Sequence, residues 1–242
     1  MIVIPMAGLS SRFFKAGYDK PKYMLKIGGE FLFDHSVKSF SNYFEYESFL
    51  FIVRDVYDTE SFVRERAINL GIKNFYIHVL TENTLGQAET VTLGLLSIKN
   101  LDLNNDITIF NIDTFRPGFK FIDLNNDVSG YLEVFIGEGD NWSFVQPISN
   151  SEFVLKTSEK RRISNLCSTG LYFFSRAKDY IEAFEKYSSL PKEEWDGGEL
   201  YIAPMYNILI TQGKKIQYNV INVDEVIFCG TPEEYELLEG FI

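Results

Sequence analysis

MIVIPMAGLSSRFFKAGYDKPKYMLK, residues 1–26, is the stretch from which the rest of the chain is read. Ile2-Val3-Ile4 is a short apolar run of the kind that forms a buried strand. It breaks at Pro5 and opens into Ala7-Gly8-Leu9-Ser10-Ser11, a turn of mostly small residues ahead of Arg12, with Pro21-Lys22 further on. The stretch carries five cations (Arg12, Lys15, Lys20, Lys22, Lys26) against one acid, Asp19, in a protein of net charge −11. It is therefore +4, which leaves −15 for the remainder. Like charges repel, so a basic island on an acidic protein needs a reason. Small residues after a strand let backbone N–H groups approach a polyphosphate, and nearby cations offset its charge. A glycine after a strand is by itself only a turn, and a single lysine is usually solvated. The signal lies in the whole run.

Composition sets the outer limits. The chain has 242 residues, enough for one α/β domain with a sizeable core. No apolar run is long enough to span a bilayer, and the N-terminal run is too short for a signal peptide and has no cationic region before it. Cys167 and Cys229 offer neither metal spacing nor a disulfide framework. These features predict a cytoplasmic protein with no membrane partner. The acidity argues against nucleic acid as a partner.

Strand-like and helix-like segments alternate along the first half. Phe33 to Phe44 reads as an amphipathic helix, Phe49 to Val53 as a strand and Asp58 to Leu70 as a helix stopped by Gly71. Phe75 to Leu80 reads as a strand, Gln87 to Lys99 as a helix and Ile107 to Phe110 as a strand. That order predicts βαβ units and a mostly parallel sheet, and the continuous Ile/Val/Phe runs fit strands covered on both faces. From about residue 126 the elements change. Short strands are expected over Gly130–Ile136, Trp142–Gln146, Ser151–Thr157, Gly170–Phe174 and Lys215–Val223, with helices over Arg176–Lys186 and Glu199–Gln212. Thr231-Pro232-Glu233-Glu234 is a capping box with proline at the first helical position. With no linker in view, the chain reads as a single domain, 1–125 followed by 126–242.

In open sheets of this kind, ligands sit outside the carboxyl ends of the strands. That rule gathers the Gly8–Arg12 loop, the turn after Leu80 and the end of the 107–112 strand. Asp113 stands at that strand end, and a hard carboxylate there suits Mg²⁺ held jointly with substrate phosphates. The alternative is an aspartate capping the next turn. Gly86-Gln87 opens a helix, and glutamine offers both a donor and an acceptor to a base edge. The alternative is an ordinary helix start. His35, on a helix, and His78, in a strand, read as structural, and Trp142 reads as core. No Gly-x-Ser-x-Gly elbow or Gly-x-x-x-x-Gly-Lys-Ser/Thr loop is present.

Gly8-Leu9-Ser10-Ser11-Arg12 with Pro21-Lys22 resembles the Gly-x-Gly-x-Arg…Pro-Lys signature of the sugar-phosphate nucleotidyltransferases, or pyrophosphorylases, with Ser10 in place of the second glycine. Glu159-Lys160 ahead of Thr169-Gly170-Leu171-Tyr172 is similar to the same family's acceptor segment, and Phe228-Cys229-Gly230-Thr231-Pro232 to its Asp-x-Gly-Thr-Pro. The resemblance is colinear over nearly the whole chain. It implies an α/β, Rossmann-like three-layer αβα sandwich with a mixed, mostly parallel central sheet, like the GT-A fold. It implies a nucleoside triphosphate and a small phosphorylated acceptor as partners, and Mg²⁺ as cofactor. Arg12 and Lys22 would be the catalytic cations. Ala7 to Ser11, Gly86 and Gln87 would bind the nucleotide, and Asp113 the metal. Glu159, Lys160, Gly170 and Glu199 would bind the acceptor.

The family's second metal aspartate is Phe228 here, and Asp224, four residues earlier, is the candidate replacement. Gly17-Tyr18-Asp19-Lys20-Pro21-Lys22 and Glu199-Leu200-Tyr201-Ile202-Ala203-Pro204-Met205-Tyr206-Asn207 resemble a capsule-associated subgroup, which implies a sugar 1-phosphate acceptor. Two alternatives stay open: a CTP-dependent cytidylyltransferase acting on a phosphocholine-like phosphate, and a GT-A glycosyltransferase, whose usual Asp-x-Asp is Asn111-Ile112-Asp113 here. Exposed aromatics leave room for a homodimer.

Overall fold

Apolar residues that alternate between two faces build the central sheet. The computed structural model describes residues 1–125 and 127–240; residue 126, where the second half was expected to begin, lies outside them. The long strands are β1 (Ile2–Pro5), β2 (Ser48–Arg54), β3 (Asn74–Leu80), β4 (Ile107–Phe110), β5 (Val128–Ile136), β6 (Ser143–Pro147), β7 (Val154–Glu159), β8 (Leu166–Phe174) and β9 (Lys215–Ile221), and short two-residue strands pair in two small sheets beside them. The long strands all join one nine-stranded sheet. Its spatial order is β3-β2-β1-β4-β8-β5-β9, and the β6–β7 hairpin branches from the start of β8. β3, β2, β1 and β4 are mutually parallel. Among the nine strands only β7 and β8 run the other way, so the sheet is mixed and mostly parallel.

The pleat sends neighbouring side chains to opposite layers. Val3, Leu50 and Ile52 face a core with Val91, Leu95 and Tyr180. α1 (Ser11–Lys15) follows the turn after β1, and the layer that Val3 faces contains α4 (Gln87–Leu96), α5 (Ala177–Ser188) and α6 (Met205–Thr211). Ile2, Ile4, Phe49, Phe51 and Val53 face Phe33, Val37, Val63 and Ala67 on the other side, where α2 (Leu32–Val37) and α3 (Thr59–Leu70) pack. The result is the three-layer sandwich that the βαβ order predicts. β1 lies between β2 and β4, so the chain crosses from one flank of β1 to the other, and the crevice at that reversal is where such sheets take ligands.

Three helices are shorter than expected: α4 stops at Leu96 instead of Lys99, and two others differ more. The helix read over Phe33–Phe44 is α-helical only to Val37 and continues as a 3₁₀ turn, Lys38–Tyr43. Phe40 leaves helical geometry (φ −103°, ψ 22°), and its ring packs 5.1 Å from Phe110 and 5.0 Å from Phe119 between centroids. Burial of that ring against the sheet prevails over local propensity. The helix read from Glu199 begins only at Met205. Residue 200 is tied to the start of α4, with Leu200 N–H donating to Leu85 (3.0 Å) and its carbonyl accepting from Ala88 (2.8 Å). Pro204 then starts the helix, the end of a helix that proline tolerates. No helix among the described residues is long and apolar enough to cross a membrane.

Candidate active site

The turn after β1 bends without its second glycine. Met6 N–H extends the ladder to Ile52 (2.9 Å), and Ser10 then takes the left-handed conformation (φ 49°, ψ 29°) that glycine adopts freely. The serine adds what glycine lacks: its Oγ accepts the backbone N–H of Lys22 at 3.2 Å. The two basic segments are thereby linked. Tyr23, 3 % exposed, anchors the second segment through its hydroxyl on Thr59 Oγ1 (3.0 Å). Its neighbour Lys22 faces the crevice and meets Asp113, with Nζ 2.5 Å from Oδ2. Burial alone would raise the Asp113 carboxyl. The Lys22 ammonium and its hydrogen bond, with Arg12 further away, outweigh that and hold it below the usual aspartate value.

Two cavities open on the carboxyl side of the sheet. The larger, about 780 Å³, is lined by Ala7 to Arg12, Lys22, Gly86, Gln87, Asp113, Lys160 and Glu199 among others. The smaller, about 440 Å³, is lined by Glu159, Lys160 and Gly170. They share Arg12, Gln87, Asn111 and Asp113 as a common wall. Of the residues expected at a site, Asp224 alone lines neither. It is exposed on the 223–225 turn, so Asp113 has no protein carboxylate partner from that position. Among the described residues no group of three or more His, Cys, Asp or Glu side chains could cage a metal.

Asn111 organises the shared wall. Gln87 Nε2 donates to its Oδ1 at 2.6 Å, and its backbone N–H donates to the Gly170 carbonyl at 3.2 Å. Gly170 is glycine for two reasons. Its φ is 89°, and a Cβ would stand 2.4 Å from Asn111 Nδ2. Gly86 has a packing reason as well, since a Cβ there would reach the Leu200 backbone at 2.5 Å.

The smaller cavity has its own polar lining. Ser143 Oγ donates to Glu159 Oε2 and lies 3.0 Å from Tyr172 OH. Burial raises the Glu159 carboxyl; the Ser143 hydroxyl and Lys160 offset this only in part. Lys160 hydrogen-bonds the Tyr201 hydroxyl and stands 4.6 Å from that ring's centroid. Burial works against its charge, but Tyr201 and the nearby Glu199 and Glu159 keep its pKa above the ordinary lysine value. Trp142, half-buried, packs against the buried Phe135 and also walls the cavity, 4.8 Å from the Phe228 ring. Phe228 thus adds an aromatic face where the resemblance implies a carboxylate.

A structure of the nucleoside-diphosphate-sugar pyrophosphorylase from Vibrio cholerae RC9 shares 59 % identity over 99 % of this chain and 100 % of that one, with a TM-score of 0.95. The chain belongs to the nucleoside-diphosphate-sugar pyrophosphorylase family. It is a nucleotidyltransferase. More distant structures share its fold. A putative glucose-1-phosphate thymidylyltransferase from Bacillus anthracis is 18 % identical over 99 % of this chain and 94 % of its own, with a TM-score of 0.74. The inositol-1-phosphate CTP transferase from T. maritima is 17 % identical over 98 % of this chain and 94 % of its own, with a TM-score of 0.73. No protein-family model matches the chain, and no curated protein matches it.

The cleft of this nucleotidyltransferase also holds residues that sequence reasoning missed. Arg54, the last residue of β2, lines the larger cavity where the strand-end rule could have found it, beside Glu82 to Thr84 of the turn after Leu80 that the rule does gather. Asn111 carries no sequence signal beyond its place beside Asp113, because its two partners come from distant segments. His35 is structural, with Nε2 3.0 Å from the Ile27 carbonyl.

Proposed function

We propose that this enzyme joins a nucleoside triphosphate to a phosphorylated acceptor, a sugar 1-phosphate used for capsule or other surface polysaccharide, and releases pyrophosphate. The observation that carries the reading is the shared wall: two cavities meet at Arg12 and Asp113, with Lys22 reaching the same carboxylate. The triphosphate fills the larger cavity and the acceptor the smaller. We place the whole reaction in a single domain over 1–242, with nucleotide contacts from 1–125 and acceptor contacts from 126–242. One continuous sheet through both halves supports this. The use of a free nucleoside triphosphate fits a cytoplasmic enzyme.

The chemistry is an in-line displacement. An acceptor phosphate oxygen forms a bond to the α-phosphorus as the bond from that phosphorus to the bridging oxygen of the β-phosphate breaks, and pyrophosphate leaves with those electrons. The attacking oxygen is already ionised near neutral pH, so no side chain needs to remove a proton. Catalysis is then alignment of two anions and neutralisation of their charge. Ala7 to Ser11 present backbone N–H groups to the triphosphate, Arg12 holds the β- and γ-phosphates and then the leaving group, and Lys22 holds the α-phosphate as its charge spreads. Gly86 and Gln87 face the base. Glu159 and Glu199 take acceptor hydroxyls, Lys160 the acceptor phosphate, and Gly170 lets the acceptor approach. Asp113, a single hard carboxylate with no protein cage around it among the described residues, is the residue that would hold Mg²⁺. Bound there, the ion supplies neutralisation of phosphate charge.

The test is to supply each of the four nucleoside triphosphates with a panel of phosphorylated acceptors and to measure pyrophosphate. Release only with sugar 1-phosphates supports the proposal. Release with CTP and a non-sugar phosphate moves the acceptor to the cytidylyltransferase alternative. Transfer from a nucleoside diphosphate sugar without pyrophosphate replaces the reading with glycosyl transfer.

A further inference from the structure

One charge cluster, buried at Arg116 and Glu133 and exposed at Glu225, has no charged member on either cavity. Arg116, 7 % exposed, donates from Nε to Glu133 Oε1 at 3.0 Å. Its Nη1 donates to the Glu225 carbonyl at 3.1 Å and its Nη2 to Glu225 Oε2 at 3.2 Å. Glu133, 2 % exposed, also accepts from Thr169 Oγ1 at 3.2 Å. Removing such charges from water costs as much as their pairing returns, and apolar residues of similar volume often hold a fold as well. The cluster therefore calls for a use beyond stability.

Its connections supply one. Glu133 belongs to β5, and Thr169 precedes Gly170 on β8. Glu225 ends the turn that feeds Ile227 and Phe228, which pair with Phe115 and Thr114. Cys229 N–H then donates to the Asp113 carbonyl at 2.8 Å. Phe228, the aromatic face of the smaller cavity, is carried by that same segment. One guanidinium thus ties the turn that leads to Phe228 to Glu133, the carboxylate that Thr169 meets, while the segment's own Cys229 N–H ties it to Asp113.

We propose that Arg116, held between Glu133 and Glu225, is a positioning residue for the acceptor: it sets the Phe228 wall of the smaller cavity against Asp113. The proposal rests on the reading that the smaller cavity takes the acceptor. Lysine cannot replace this fork, because its ammonium lacks the planar geometry that reaches two carboxylates and a carbonyl at once.

The test compares wild type with Arg116→Lys and Glu225→Ala, the latter at a half-exposed side chain. An Arg116→Met/Glu133→Gln variant removes both buried charges together, should single changes at Arg116 fail to fold. Steady-state kinetics use the nucleotide and acceptor pair that releases pyrophosphate. The expected result is an acceptor KM raised about tenfold or more, with the nucleotide KM within about twofold, since small displacements of a positioning group are costly. A second readout needs no turnover: in a Trp195→Phe background, acrylamide should quench Trp142 more strongly in the variants than in the parent. An unchanged acceptor KM with unchanged quenching overturns the proposal, as does an equal loss for both substrates that tracks melting temperature. If wild type releases no pyrophosphate with any pair, the functional reading fails by itself, and the quenching comparison still decides whether Arg116 holds the wall.

Discussion

Lys22 Nζ and Asp113 Oδ2 meet at 2.5 Å although 91 positions separate them in the chain. Their side chains are 20 % and 27 % exposed, so the contact sits at the mouth of the cleft rather than in the core. A partly solvated pair of this kind contributes at most about 1 kcal/mol to folding. Its importance lies in geometry, because it brings the cation of the Pro-Lys segment and the strand-end carboxylate to one point before any phosphate arrives.

Lys22→Ala is therefore expected to keep the fold and lose the reaction. Pyrophosphate release should fall by about 10²–10³, the usual effect of removing one transition-state contact, with a nearly unchanged circular dichroism spectrum and melting temperature. Full activity in this variant would refute the role given to Lys22.

The acid limb of stability should carry the mark of Asp113. Its folded carboxyl is depressed, so it contributes stability above the unfolded value of 3.8 and loses it as pH falls through the lower folded value. Melting temperature followed downward from pH 5 should drop less steeply in Asp113→Asn than in wild type. Parallel curves would show that the pairing with Lys22 is lost in solution.

Asp113→Asn and Asp224→Ala should part company in activity. The first removes the carboxylate on the shared wall and should lower the rate by at least about 10². The second changes an exposed residue outside both cavities, and the rate and its dependence on Mg²⁺ concentration should stay within about twofold, as for surface changes in general. A large loss at position 224 would mean that the 223–225 turn moves into the cleft.

Glu159→Gln should give stability and activity of opposite sign. The folded carboxyl is raised above 4.5, so its ionisation works against the fold at neutral pH. The amide can still accept the Ser143 hydroxyl without that charge. A higher melting temperature at pH 7, with the gain vanishing below pH 4.5, should accompany a raised acceptor KM. Calorimetry across that range, together with kinetics, checks both halves.

Ser10 invites a comparison of two replacements. Glycine keeps the left-handed turn at no steric cost but loses the bond to Lys22 N–H, so Ser10→Gly should be close to neutral in stability. Ser10→Ala keeps the unfavourable φ and loses the bond, and should cost about 1 kcal/mol more. Chemical denaturation of the three forms gives the order.

Much of this was legible because its signals are local. β1, β2 and β4 are contiguous apolar runs, and the Gly8–Arg12 and Pro21–Lys22 segments sit close together in sequence. The strand-end rule then gathered the Gly8–Arg12 loop, the turn after Leu80 and the strand end that carries Asp113 at one crevice. What stayed hidden depends on distant partners. Asn111 acquires its place from Gln87 and Gly170, Arg116 from Glu133 and Glu225, and Phe40 breaks its helix for rings at 110 and 119. Pro204 was a visible stop within the expected 199–212 helix and could have moved its start. Asp224 is a candidate only by proximity in sequence to Phe228, and the three-residue 3₁₀ turn Val223–Glu225 suffices to turn its side chain to solvent.

The common wall of the two cavities has a consequence for the end of the cycle. On the proposed reaction, the linked product is the one molecule that lies in both chambers at once, whereas pyrophosphate touches only the first. The larger molecule should leave last. When downstream consumption slows, it would linger on the enzyme and hold back the next turnover, a brake that requires no second regulatory site.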